Sequence, residues 1–90
     1  MSVRIYISPA LYHIDGSQYL IESGGNTIGE CLEQLVIQFP QIKKVLFDKN
    51  GELLSHLDVY LNGVSAYPDQ LAKPVKDGDE LLVISIITGG

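Results

Sequence analysis

Gly24-Gly25-Asn26-Thr27-Ile28-Gly29-Glu30-Cys31-Leu32-Glu33-Gln34-Leu35-Val36-Ile37-Gln38-Phe39-Pro40 is the stretch around which the rest of the chain arranges itself. The two glycines and Asn26 break whatever precedes them. Thr27 with Glu30 three residues later has the form of a capping box, in which each side chain satisfies an amide left orphaned at a helix start. The spacing predicts a helix over residues 28–39. Ile28, Leu32, Leu35, Val36 and Phe39 fall on one stripe at three- and four-residue intervals, with Cys31 at its edge, so one face packs against a sheet. Pro40 ends the run, since the residue before a proline is driven out of the helical basin.

Working outward, the segments on either side read as strands. Val3, Ile5 and Ile7 alternate with Arg4, Tyr6 and Ser8, the period of a strand with one buried face, and Pro9 closes it. Asp15-Gly16 signals a turn, and residues 18–22 fold back as a second strand. Beyond the helix, residues 42–47 suggest a short helical turn and Asn50-Gly51 a loop. Residues 57–61 alternate as a third strand. Asn62-Gly63 is the strongest hairpin signal in the chain and brings residues 64–66 back as a minor strand. Lys76-Asp77-Gly78-Asp79 makes a last turn into residues 81–86, whose near-unbroken apolar character suggests burial on both faces, in a central position or beneath a partner.

The order β-β-α-β-(β)-β supplies one main helix for one mixed sheet of four to five strands, with the last strand parallel to the first. This is an α+β fold, the β-grasp. With the helix on one sheet face the other faces solvent. Leu81 and Val83 are assigned inward, leaving Leu82, Ile84 and Ile86 outward beside Tyr6 as an apolar contact surface. A covering loop or self-association are the alternatives. Residues 1–86 are expected to form the domain and residues 87–90 a flexible tail.

Composition narrows the function. At 90 residues the chain is one small domain with little room for an enclosed active site. Eleven acidic against six basic residues give a net charge of −5, which argues against nucleic acid and for a basic partner surface. One cysteine excludes an internal disulfide, and neither a basic-then-apolar leader nor a membrane-length apolar span is visible, so a cytosolic protein is expected. His13 and His56 lie in separate loops without metal-site spacing and read as surface histidines. Cys31 lacks a base and reads as an inert core thiol. Asp77, Asp79 and Glu80 read as solvated turn acids, too few for a calcium loop. Gly24, Gly25 and Gly29 complete no phosphate-binding motif. No cofactor or metal site is assigned.

What remains is the diglycine Gly89-Gly90. Residues without Cβ escape the usual steric limits, and residues 87–90 can reach roughly 13 Å at about 3.3 Å per residue. A fraying terminus is the bland alternative. A terminal carboxylate, with a pKa near 3.5, is ionised and a poor electrophile at neutral pH, so another protein must activate it. Phosphoryl or adenylyl transfer from ATP would make a mixed anhydride open to a sulfur or amine nucleophile.

Thr27-Ile28-Gly29-Glu30-Cys31-Leu32 through Phe39-Pro40, Val59-Tyr60-Leu61-Asn62-Gly63, Asp77-Gly78-Asp79-Glu80-Leu81 and Gly89-Gly90, in this order, resemble the ubiquitin-like sulfur carriers of the MoaD/ThiS type. The resemblance covers almost the whole chain. It implies that an E1-like adenylyltransferase activates Gly90 with ATP, that a sulfur donor converts it to a thiocarboxylate, and that a sulfur-accepting enzyme, such as a molybdopterin synthase large subunit, receives the sulfur. Gly90 and Gly89 would carry the reaction. Ile84, with Leu82, Ile86, Tyr6, Ile87 and Thr88, would meet the partner. The segment before the diglycine, Ser85-Ile86-Ile87-Thr88, lacks the proline that many members of the family carry. The competing readings are a ubiquitin-like modifier joined to lysines through Gly90, and a noncatalytic interaction subunit in which the glycines are incidental.

Overall fold

The computed structural model describes residues 2–8, 18–21 and 25–86. Strand β1 (Val3–Ile7) and β2 (Gln18–Ile21) pair antiparallel, with Val3 opposite Ile21. Helix α1 (Ile28–Gln38) follows, then a 3-10 turn (Pro40–Ile42) running into the short helix α2 (Lys43–Leu46). Strand β3 (Leu57–Leu61), the two-residue β4 (Val64–Ser65), a second 3-10 turn (Gln70–Ala72) and β5 (Glu80–Ser85) complete the order. The sheet runs β2-β1-β5-β3-β4, with β5 parallel to β1 and antiparallel to β3. One mixed five-stranded sheet against one main helix is the expected β-grasp.

Each element forms for a visible local reason. The Glu30 amide donates to Thr27 Oγ1 at 3.2 Å, a contact worth about 1 kcal/mol. The returning carboxylate of Glu30 accepts from Asn26 N at 3.1 Å, one residue before the cap where a capping box uses the cap itself. In the hairpin, Asn62 and Gly63 both have positive φ, 50° and 85°, the pair that a type I′ turn requires.

The core lies between α1 and one sheet face. Val3, Ile5 and Ile7 of β1, Leu57 and Val59 of β3, and Leu81 and Val83 of β5 meet Ile28, Cys31, Leu32 and Leu35, all at most 2% exposed. Val36 and Phe39 pack at the margin. Cys31, expected at the stripe's edge, is instead wholly buried, because Gly25 lets the preceding chain close over it: a Cβ there would stand 3.0 Å from Cys31 Sγ.

Three further expectations need correction. Strand β5 is central as read, but it is not buried on both faces: Leu81 and Val83 are covered, whereas Leu82 is 40% exposed. Apolar residues on both sides of a strand do not by themselves recruit a second cover, and among the described residues the one long helix, α1, packs on the Leu81 and Val83 side. Asp79 is not a solvated turn acid but a buried one. The minor strand stops at Ser65, although the Ala66 amide still reaches Val59 O at 2.9 Å. The 3-10 turn at Gln70–Ala72 carries no periodic signal and was not anticipated. It docks where Gly29 has no side chain, with a Cβ there falling 3.0 Å from Leu71 O. Pro9, His13, Asp15-Gly16, Glu22 and Gly24 lie outside the described residues.

Candidate functional site

The surface opposite α1 is built from alternate residues of three strands. On β1 these are Arg4 and Tyr6, on β5 Glu80, Leu82 and Ile84, and on β3 Asp58 and Tyr60, alternating with the buried Val3, Ile5, Ile7, Leu81, Val83, Leu57 and Val59 of the helix side. Register places them in rows. Arg4 stands beside Glu80, Tyr6 and Tyr60 flank Leu82, and Asp58 stands beside Ile84. An open cleft of about 580 Å³ lies over the middle row, lined by Tyr6, Ser8, Tyr60, Gly63, Glu80 and Leu82.

The residues assigned to this face divide in exposure. Leu82 and Ile86 are 40% and 55% exposed, and Tyr6 is half-buried. Ile84, read as an exposed contact, is also only half-buried. Its neighbour Asp58 carries a buried carboxylate that accepts from Val59 N at 2.8 Å, Ser65 Oγ at 2.6 Å and Gln70 Nε2 at 3.3 Å. Those bonds tie Ser65 and Gln70 to the strand position beside Ile84. At the strand's end, Ile86 N donates to His56 O at 2.8 Å, which fixes the point where the chain leaves the sheet. Ile87, Thr88, Gly89 and Gly90 lie outside the described residues.

A polar clasp secures the opposite end of β5. Asn62 Nδ2 donates to Asp79 Oδ1 at 3.0 Å, Lys76 N donates to Oδ2 at 2.9 Å, and Glu80 N donates to Asn62 Oδ1 at 2.9 Å. Burial pushes the Asp79 carboxyl up, but the Asn62 amide, the Lys76 backbone amide and the Lys76 charge outweigh it and hold the group below its ordinary value. Asp77 binds Ser2 N at 2.7 Å. These acids therefore organise a turn and leave few oxygens for a cation. Among the described residues no group of His, Cys, Asp and Glu is arranged to hold a metal ion, and no helix is long and apolar enough to cross a membrane.

Cys31 is buried, and burial raises its thiol pKa, with the nearby charges of Glu30 and Asp79 adding to the effect. It has no nucleophilic character. Sequence reasoning missed the roles of Asp58 and Gln70. A single Asp in an alternating strand signals an outward residue, and only the later fold-back of residues 66–70 turns it into a buried anchor.

Comparison with known proteins places the chain among relatives of known kind. A family model described as the ThiS family matches residues 5–90. Small archaeal modifier protein 1 of Haloferax volcanii is 34% identical over 67 residues, 74% of each chain. Its crystal structure superposes with a TM-score of 0.85 at 27% identity, covering 100% of both chains. Sulfur carrier protein CysO of Mycobacterium tuberculosis is 26% identical over 93 aligned positions spanning 100% of both. In a crystal structure of a BexX/CysO complex from Amycolatopsis orientalis, the matching chain gives a TM-score of 0.77 at 27% identity, covering 98% of this chain and 99% of that one.

Proposed function

The chain belongs to the ThiS family, and from that premise we propose that it is a sulfur carrier whose working group is the carboxylate of Gly90. An E1-like enzyme transfers AMP from ATP to this carboxylate, releasing pyrophosphate and leaving an acyl adenylate. A sulfur donor then attacks the carbonyl carbon, AMP departs, and a thiocarboxylate remains. Delivery of that sulfur to an acceptor enzyme, with water restoring the oxygen, returns the carrier to its starting state. The chain is thus a cosubstrate of its partners rather than an enzyme, and its exposed sheet face is the surface they hold.

The observation that carries this reading is the family match running through Gly89-Gly90 on a fold with one uncovered sheet face. The kinship with sulfur carrier protein CysO, and the existence of CysO in complex with another protein, support it. The 34% identity to an archaeal modifier favours one second reading, conjugation of Gly90 to lysines. Mass analysis of the intact protein from its own cells separates them. A species with one oxygen exchanged for sulfur is expected of a carrier, and ladders of isopeptide-linked targets of a modifier. Gly90→Ala should slow ATP–pyrophosphate exchange by the activating enzyme while leaving the fold intact. Unchanged exchange would exclude Gly90 as the reacting residue.

A further inference from the structure

On the proposed docking face, the middle row sets two aromatic side chains about one exposed leucine. Tyr6 and Tyr60 stand on either side of Leu82 across β1-β5-β3. Neighbouring strands lie about 4.8 Å apart, so the two tyrosine backbones are separated by about 10 Å, with a cation over Leu82 within the roughly 6 Å reach of a ring on each side. Glu80 lies two residues before Leu82 on the same face, exposed, at the rim of the cleft of about 580 Å³. Its register neighbour Arg4, also exposed, stands in Glu80's row and outside Leu82's, and is the one cation on the strands of this face among the described residues. The whole chain carries −5, and its five lysines all lie outside this row, at positions 43, 44, 49, 73 and 76.

We infer that this cleft is a cradle for a basic side chain, an arginine or lysine that the docking protein presents from an otherwise apolar surface. The rings supply the faces, Leu82 the floor that excludes water, and Glu80 the charge. A guanidinium suits the site best, because its flat, weakly hydrated cation stacks on aromatic faces and still donates to a carboxylate. Such a contact would act before any chemistry at Gly90, selecting partners and fixing register, since charged groups at an interface set encounter rate and specificity more than final affinity.

This inference rests on the reading of the sheet face as the docking surface, and the test separates the two. In ATP–pyrophosphate exchange with the activating enzyme from the same cell, Glu80→Gln and Tyr60→Leu should each raise the KM for the full-length carrier about fivefold to thirtyfold, with kcat unchanged. Glu80→Gln should also flatten the dependence of KM on salt, a response that loss of shape alone would not produce. Melting temperatures of both variants should stay at the parent value, and Tyr60→Phe should restore a near-parent KM because the ring face is kept. An unchanged KM and salt slope in Glu80→Gln, while Gly90→Ala still blocks exchange, would overturn the cradle and leave the carrier reading standing. Exchange indifferent to Gly90→Ala would overturn the carrier reading instead, whatever Glu80 does.

Discussion

Asp79 shows how much one buried carboxylate can organise. Its two oxygens accept from Asn62 and from the Lys76 amide, joining the β3-β4 turn to the start of β5. Because these bonds favour the charged form, the folded-state pKa lies below the ordinary value of about 3.9. The stabilisation is therefore complete above that value and is lost as the pH falls through the lower, folded pKa. Asp79→Asn replaces one acceptor by a donor facing a donor and should cost about 1–3 kcal/mol at neutral pH. Thermal melts at pH 7 and pH 3 should show the variant losing less than the parent over that interval. An equal loss would mean that Asp79 makes no acid-sensitive contribution. Leu35, fully buried in the middle of the α1 stripe, has no such polar role. Its truncation to Ala should destabilise by about 2–5 kcal/mol in a denaturant titration.

At the scale of elements, α1, β1 and β3 were legible because each repeats its period, 3.6 residues along Ile28, Leu32, Leu35 and 2 along Val3, Ile5, Ile7, whereas β5 showed only as a continuous apolar run after a turn. The Asn62-Gly63 turn was legible because its backbone demands those residue types. The Gln70–Ala72 turn has neither period nor turn signature, since what holds it is a distant partner, the bare backbone at Gly29. Alanine in a helix is normally favoured over glycine by about 0.8–1 kcal/mol. At position 29 the new Cβ would meet Leu71 O at 3.0 Å and Leu71 Cβ at 3.2 Å. Gly29→Ala should accordingly give no gain in Tm, and a clear rise would show that the turn moves aside freely. The outward residues of β5 were placed on the correct face by the same alternation, yet their exposure was not readable. Ile84 is half-buried beside Asp58, whose carboxylate binds Ser65 and Gln70 from later segments, contacts that no local pattern announces.

For the whole molecule, the division of labour between the two sheet faces sets the remaining expectation. Residues on the helix side hold the fold, whereas Leu82 and Ile86 on the other side are exposed and contribute little to it. Ile86→Lys should move the melting temperature by no more than about 2–4 °C, since surface changes rarely exceed about 0.5 kcal/mol, while weakening capture by the activating enzyme in a pull-down or exchange assay. A large drop in Tm would place Ile86 in the core instead.

Strand β5 is the middle plank of the sheet: Leu81 pairs with Ile5 on one side and Leu61 on the other. Without it, the β1-β2 ribbon and the β3-β4 hairpin share no edge, and neither two-stranded piece is stable alone. Order on both flanks therefore hangs on one strand: drawing β5 out would release the two outer pairs together, as a single cooperative opening and not as local fraying.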